Sequence, residues 1–170
     1  MTDRFVAVDV EIATHSPMQI CAIGAARFEL GRETNCYQSL VQVRGRVQFT
    51  DIHGLTAADL ADAPPWPEVW QGVLGILGEI DTAVAFRASF DRGAILAMSA
   101  HHGVRLPRLR FLCAAEMMKA HRGCDLNLRG SLELLGIRFP GRPHNALSDA
   151  RAAAAIAIAC GIESVKSRRG

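Results

Sequence analysis

Read for its apolar and polar positions, the chain changes period several times. Residues 4–10 (RFVAVDV) are apolar with few breaks, as a strand in the middle of a sheet should be. QICAIGAARFEL (19–30) and CYQSLVQV (36–43) read as two further strands. The link GRETN between them holds the Gly and Asn of a tight hairpin turn, and the first two strands are expected to be antiparallel neighbours. The pattern then lengthens to a helical one. ADAPPWPEVWQGVLGILGEI sets prolines at a helix start and repeats Trp66, Val69, Trp70, Val73, Leu74 and Leu77 at helical spacing.

TAVAF (82–86) is a short apolar strand, followed by a helix through RGAILAMSAHHG that ends at Gly103. FLCA (111–114) reads as another strand, with a helix after it to about Ala120. LRGSLELLG is a helix ending at Gly136. NALSDARAAAAIAIACG is a last helix with Asn145 as N-cap and Gly161 just past its end. A strand meander followed by alternating helix and strand predicts an α/β layered domain with a mixed sheet. With no repeat and no low-complexity linker, 170 residues are expected to form one domain, the last few a flexible tail.

Two acids interrupt the first strand. Asp9 and Glu11 are two apart, so they share one face and repel. An ionised carboxylate taken out of water costs several kcal/mol unless it is paired or bound to metal. A D-x-E triplet is common by chance, but a central apolar strand is a poor place for one. Asp91, just beyond TAVAF, and Asp149, at the start of the last helix, occupy similar junctions, where a helix N-terminus also favours a carboxylate. Four converging carboxylates call for divalent cations, and an oxygen-only ligand set points to Mg²⁺ or Mn²⁺ rather than zinc. Such a cluster is what a two-metal phosphodiester site needs, with metals about 3.5–4 Å apart. His144, in a loop (GRPHN) kept out of the helix by Gly141 and Pro143, is placed to take a proton from water beside Asp149.

Charge refines this picture. Residues 1–100 hold 7 Lys and Arg against 12 Asp and Glu, whereas 101–170 hold 12 against 5. An acidic half beside a basic half suits a protein that gathers cations and faces a polyanion, although solvated surface alone produces such an imbalance too. Five cysteines (21, 36, 113, 124 and 160) without a CxxC pair predict free thiols in a reducing cytoplasm, against a disulfide framework or a zinc site. The N-terminus lacks the pattern of a signal peptide, and AAAAIAIACGI is too short to span a bilayer, so no membrane association is expected.

With Asp9, Glu11, Asp91, His144 and Asp149 in this order, the chain resembles the DnaQ-like, DEDDh-type 3′–5′ exonucleases. FVAVDVEIAT resembles the first motif of that family, IHGLTAADLADAP (52–64) its Ile-His-Gly-x-Thr segment, and VAFRASFD (84–91) its second motif. SLELLGIRFPGRPHNALSDARAAAAI (131–156) resembles the third. The resemblance implies a ribonuclease-H-like fold: antiparallel N-terminal strands, then parallel strands, flanked by helices. It implies that Asp9 bridges two divalent cations, that Glu11 and Asp149 complete the shell of the one that activates water, and that Asp91 serves the other. His144 would be the general base. His53, Gly54 and Leu55 would border the pocket for the 3′-terminal nucleotide. Ile12 stands where the family usually has Thr. Arg87 stands where it has Asn, within the segment that includes Phe90. All three are substrate-facing positions, and these departures bear on which substrate is used more than on the chemistry.

The implied activity is release of mononucleotides from single-stranded 3′ ends of DNA or RNA, with an exoribonuclease that trims short RNAs as the alternative within the class. The implied partners are a DNA polymerase or another replication or repair protein, with a homo-oligomer left open. A non-catalytic nucleic-acid-binding or polymerase-docking module is the rival, but such a module has no need of crowded carboxylates. Trp66 and Trp70 read as core packing, Cys113 and Cys160 as small core residues, and His101 and His102 as helix C-terminal capping groups. KSRRG reads as a solvated terminus.

Overall fold

The computed structural model describes residues 4–162; the expected tail and KSRRG lie outside the described residues. The chain opens with a meander of β1 (Arg4–His15), β2 (Met18–Glu29) and β3 (Arg32–Leu40), all antiparallel. Two short helices, α1 (Thr50–His53) and α2 (Ala57–Ala61), lead to α3 (Trp66–Leu77). β4 (Thr82–Ala85), α4 (Ala88–His101), β5 (Arg110–Cys113) and α5 (Ala114–Arg122) alternate, and α6 (Leu128–Leu134) and α7 (Ala146–Ala159) close the chain. The sheet runs β3-β2-β1-β4-β5, with β4 parallel to both β1 and β5. This is the mixed sheet expected from the sequence, with helices on both faces. Among the described residues no helix is long and apolar enough to cross a membrane.

Alternation along β1 divides the interior into two layers. Val6, Val8, Val10 and Ile12 pack with Trp66, Val69, Trp70 and Val73 of α3 and Ile95 and Met98 of α4. Trp66 and Trp70 are fully buried with rings 5.5 Å apart, as expected of core residues, and the Trp66 indole donates to Ser99 at 3.0 Å. Ile76 completes this face of α3, and Leu74 is only half-buried. On the other side, Phe5 and Ala7 pack with α5, α6 and the alanines of α7.

Small residues set how closely α7 lies on the sheet. Ala7 and Ala26 meet Ala150, Ala153 and Ala154 of that helix in one layer. Gly24, opposite Asp9 in the ladder, leaves room where an added Cβ would run into the α7 backbone at Ala146 and Leu147. The helix start is fixed by the Asn145 side chain, which accepts from the Ser148 amide at 3.1 Å.

The strands differ in detail from their sequence bounds. β1 runs five residues past Val10, because register shifts after Glu11 and Ile12 let the β1–β2 ribbon bend and continue. The β2–β3 turn is made by Leu30 and Gly31, both at positive φ (50° and 74°), and not by Gly31 with Asn35. Asn35 lies within β3, its side chain accepting from the Cys36 amide. The two-residue turn fits the strand twist even with a leucine in it. Cys113 and Cys160 are half-buried, their thiols directed at the Phe86 carbonyl and the Met118 sulfur.

The close approach at Gly24 makes opposite forecasts for two glycines. Gly24→Ala should lower stability by at least the roughly 1–3 kcal/mol typical of overpacking, since the obstacle is backbone. Gly75→Ala, on an open face of α3, should raise it by up to about 1 kcal/mol. Urea midpoints of the two variants measure both.

Candidate active site

Phe5 and Ala7 face α7, so Asp9 and Glu11 continue that face toward the C-terminal end of β1. Asp91 arrives from the first turn of α4, immediately beyond β4, and is buried. Its Oδ1 accepts from the Val10 amide at 3.1 Å, a group left available because the β1–β4 pairing covers only Val6 and Ala7. Asp91 is thereby tied to β1 between Asp9 and Glu11. Asp149 arrives from the first turn of α7 and is also buried, its Oδ2 accepting from the His144 amide at 3.2 Å. His144 is exposed and left-handed (φ 58°), and one ring nitrogen lies within 4.8 Å of carboxylate oxygens of Glu11 and Asp149. Gly141, at φ 117°, lets the loop pass Ser148, whose hydroxyl a Cβ there would strike.

The electrostatics follow from this crowding. Burial pushes the Asp9 carboxyl well above its usual range, and Asp91, Asp149 and Glu11 add repulsion. Glu11 is raised to about 7, by burial and then by Asp149 and Asp91. Burial raises Asp91 to about 7 against the opposing Val10 hydrogen bond. Asp149 goes to about 6, burial outweighing the attraction of His144. Asp149 Oδ1 is buried with no hydrogen-bond partner. An orphaned carboxylate oxygen is costly, and Asp149 groups with Glu11 and His144 as residues able to hold a divalent cation.

Beside Glu11 a pocket of about 250 Å³ is lined by Val10, Ile12, His15, Phe49, Ile52, His53 and Phe90. The His15 ring stands edge-on to Phe49 and Phe90, with centroids 5.3 and 6.3 Å away. Of the positions that the resemblance implies for substrate, Ile12, His53 and Phe90 line this cavity. Gly54 and Leu55 do not line it. Gly54 ends α1 at φ 78°, and the Leu55 amide donates to His53 Nδ1 at 3.0 Å while Nε2 reaches the Gln48 carbonyl at 3.1 Å. These bonds occupy both ring nitrogens, so His53 shapes the wall and holds the loop together. Arg87 is exposed at the N-cap position of α4, outside this lining. His15, Phe49 and Ile52 were not singled out from sequence. His15 reaches the pocket through the register shifts after Glu11 and Ile12, which strand alternation does not reveal; Ile52 opens the IHGLT segment, and Phe49 sits before it with no periodicity to mark it.

A five-stranded mixed sheet in this order, with helices on both faces, is the ribonuclease-H-like architecture of exonucleases. The chain matches the exonuclease family called RNase T over residues 6–157 and belongs to that family, as the DEDDh-type resemblance implied. The nuclease domain of 3′hExo, a DEDDh family member solved with rAMP, superposes with a TM-score of 0.81 at 16% identity, covering 95% of this chain and 93% of that one. Exonuclease X, solved with 5′-overhanging duplex DNA, gives 0.74 at 22%, covering 94% and 92%. S. pombe Pop2p, in a form with Mg²⁺ and Mn²⁺, gives 0.71 at 17%, covering 89% and 80%. At these identities the likeness is one of fold. No protein of curated function matches the chain in sequence.

The raised carboxyls give a pH forecast for the metal-free protein. An unfolded chain releases these protons near pH 4, whereas the native cluster keeps them to about pH 6–7. The native state therefore binds more protons across that window, and its stability falls as pH rises through it. With chelator present, the melting temperature should drop by about 3 °C or more between pH 5 and pH 8, and Asp9→Asn should lessen the drop. A rise over that range would mean that the cluster does not control stability.

Proposed function

We propose that this chain is a 3′–5′ exonuclease that hydrolyses phosphodiester bonds at single-stranded 3′ ends of DNA or RNA. It releases nucleoside monophosphates and uses two divalent cations, Mg²⁺ or Mn²⁺. The observation that carries this reading is the convergence of Asp9, Glu11, Asp91 and Asp149, one oxygen orphaned, beside a mostly apolar pocket of about 250 Å³. Membership of an exonuclease family supports it. So do the neighbours solved with rAMP, with duplex DNA and with Mg²⁺ and Mn²⁺. Five free cysteines suit a reducing cytoplasm.

In this reading Asp9, Glu11, Asp91 and Asp149 hold the cations. When bound, the cations supply the charge that eases ionisation of water and offsets the charge developing on the phosphate. The chain does the rest. The His144 ring nitrogen facing Glu11 and Asp149 takes the proton of the attacking water. Phe49, Ile52, Phe90 and Ile12 receive the terminal base, whose aromatic contacts tolerate any sequence. Arg87, exposed at the start of α4, offers donors to a backbone phosphate.

Incubation of 5′-labelled DNA and RNA oligonucleotides with Mg²⁺ or Mn²⁺ tests the reading. A ladder shrinking from the 3′ end is expected, slowed by a 3′-phosphate; closed circular strands cut as fast as linear ones would sink it. Chelator and Asp9→Asn should each abolish activity. His144→Ala should lose about 10²–10⁴-fold while retaining metal binding. Mg²⁺ or Mn²⁺ should raise the melting temperature of wild type much more than that of Asp9→Asn. Equal shifts would put the metal elsewhere.

A further inference from the structure

A second cavity, of about 590 Å³, opens beyond the tip of the β1–β2 hairpin. Met18 and Gln19 at the start of β2, Gln42 and Arg44 after β3, and His101 and His102 at the end of α4 form its polar and apolar walls. None of the residues lining it is acidic. Among the described residues Arg44 is exposed and takes part in neither the Arg27–Glu29 nor the Arg151–Glu33 ion pair, and no acidic side chain lines the cavity beside it. The His101 and His102 rings stand edge to face, 4.9 Å apart, and only the backbone of His102 serves to cap the helix. The Gln42 amide already donates to the Ala61 carbonyl at 3.1 Å, which leaves the Arg44 guanidinium, the two imidazoles and the Gln19 amide as donors for an anion.

The position of this cavity says which anion. Phe90 lines the pocket beside Glu11, and Ala97 and His101 line the second cavity. At 3.6 residues per turn, Ala97 and His101 each lie within about 20° of Phe90, on a single face of α4. The hairpin runs alongside, with His15 in the first cavity and Met18 and Gln19 in the second. From Phe90 to His101 the rise is about 16 Å along the helix. A stacked strand, at ~3.4 Å per nucleotide, covers that in at most about five nucleotides.

We propose that this cavity is an upstream backbone subsite, in which Arg44, His101 and His102 hold a phosphate of the substrate strand three to five nucleotides from its 3′ end. It rests on the exonuclease reading above and adds to it a length requirement for tight binding. The first pocket and the carboxylates handle the terminal nucleotide, and the second cavity anchors the strand that remains.

The test uses 5′-fluorescein oligothymidylates of two, four, six and eight nucleotides with phosphorothioate 3′ linkages, bound in Mg²⁺ and followed by anisotropy. Wild type should bind more tightly from two to six nucleotides and then level off. The double variant Arg44→Gln/His101→Gln, changed only at exposed positions, should weaken hexamer binding roughly 10-fold and leave the dimer unchanged. Its hexamer salt slope should be shallower by about 0.7 for each phosphate that the variant no longer holds. A length step that survives in the double variant overturns the subsite, as does an equal loss on dimer and hexamer. Inorganic phosphate and a nucleoside monophosphate, titrated against the His101 and His102 ring resonances, form separate arms. Saturation by either where the hexamer has no effect makes the cavity a free-nucleotide site and overturns the proposal. A wild type that degrades ordinary hexamer without a length step removes the subsite alone. One that neither binds nor degrades it removes the exonuclease reading and the subsite together.

Discussion

Four carboxyl groups crowd the rim of one sheet, and the elements that carry them are held so that they cannot move apart. Left to electrostatics, Asp9, Glu11, Asp91 and Asp149 would separate into water, because burial disfavours the charged form of all four and the neighbouring carboxylates add to this at Asp9 and Glu11. Two packing layers prevent it. One presses α4 on β1 through Val10, Ile95 and Met98, and the other presses α7 on β1 and β2 through alanine against alanine. The close approach at Gly24 brings the first turn of α7 over the sheet opposite Asp9. The site is a local loss of stability sustained by the cores on either side of it.

Around the acids, backbone geometry selects what can enter. The bend after Glu11 carries β1 onward to His15, which faces Phe49 and Phe90 across a mostly apolar pocket. Phe49 and His144, both at positive φ, flank the site from different loops, each held by a hydrogen bond into structured neighbours: the His53 amide to the Phe49 carbonyl, and the His144 amide to Asp149. The hydrogen bonds of His53, with Gln48 on one side and Leu55 on the other, keep the Phe49 loop in place.

Most of the element order was legible because the chain punctuates itself. The prolines before α3, Asn145 before α7 and the glycines after α4, α6 and α7 mark ends that the structure keeps. The β2–β3 turn was misplaced because Leu30 carries no turn signature. It takes positive φ since strand pairing on both sides demands it. Gly54 and Leu55 were expected to border the pocket, but a motif gives proximity in sequence and not the direction of a side chain. His15 and Phe49 escaped notice for the complementary reason, since their meeting depends on a ribbon bend and a loop between distant segments.

By itself the sequence determined the mixed α/β fold, the exonuclease family and the set of acids at strand and helix junctions, because each follows from local period, capping chemistry and motif order. It also determined that Asp9 and Glu11 share a face, since alternation on a strand allows nothing else. Only the tertiary structure decided that Asp91 reaches the Val10 amide, that Asp149 keeps an oxygen without a partner, and that one face of α4 lines both the pocket beside Glu11 and a second cavity holding Arg44. Those facts depend on how α4 and α7 seat on the sheet, α7 through small residues remote from one another in the chain and α4 through the apolar layer of Val10, Ile95 and Met98.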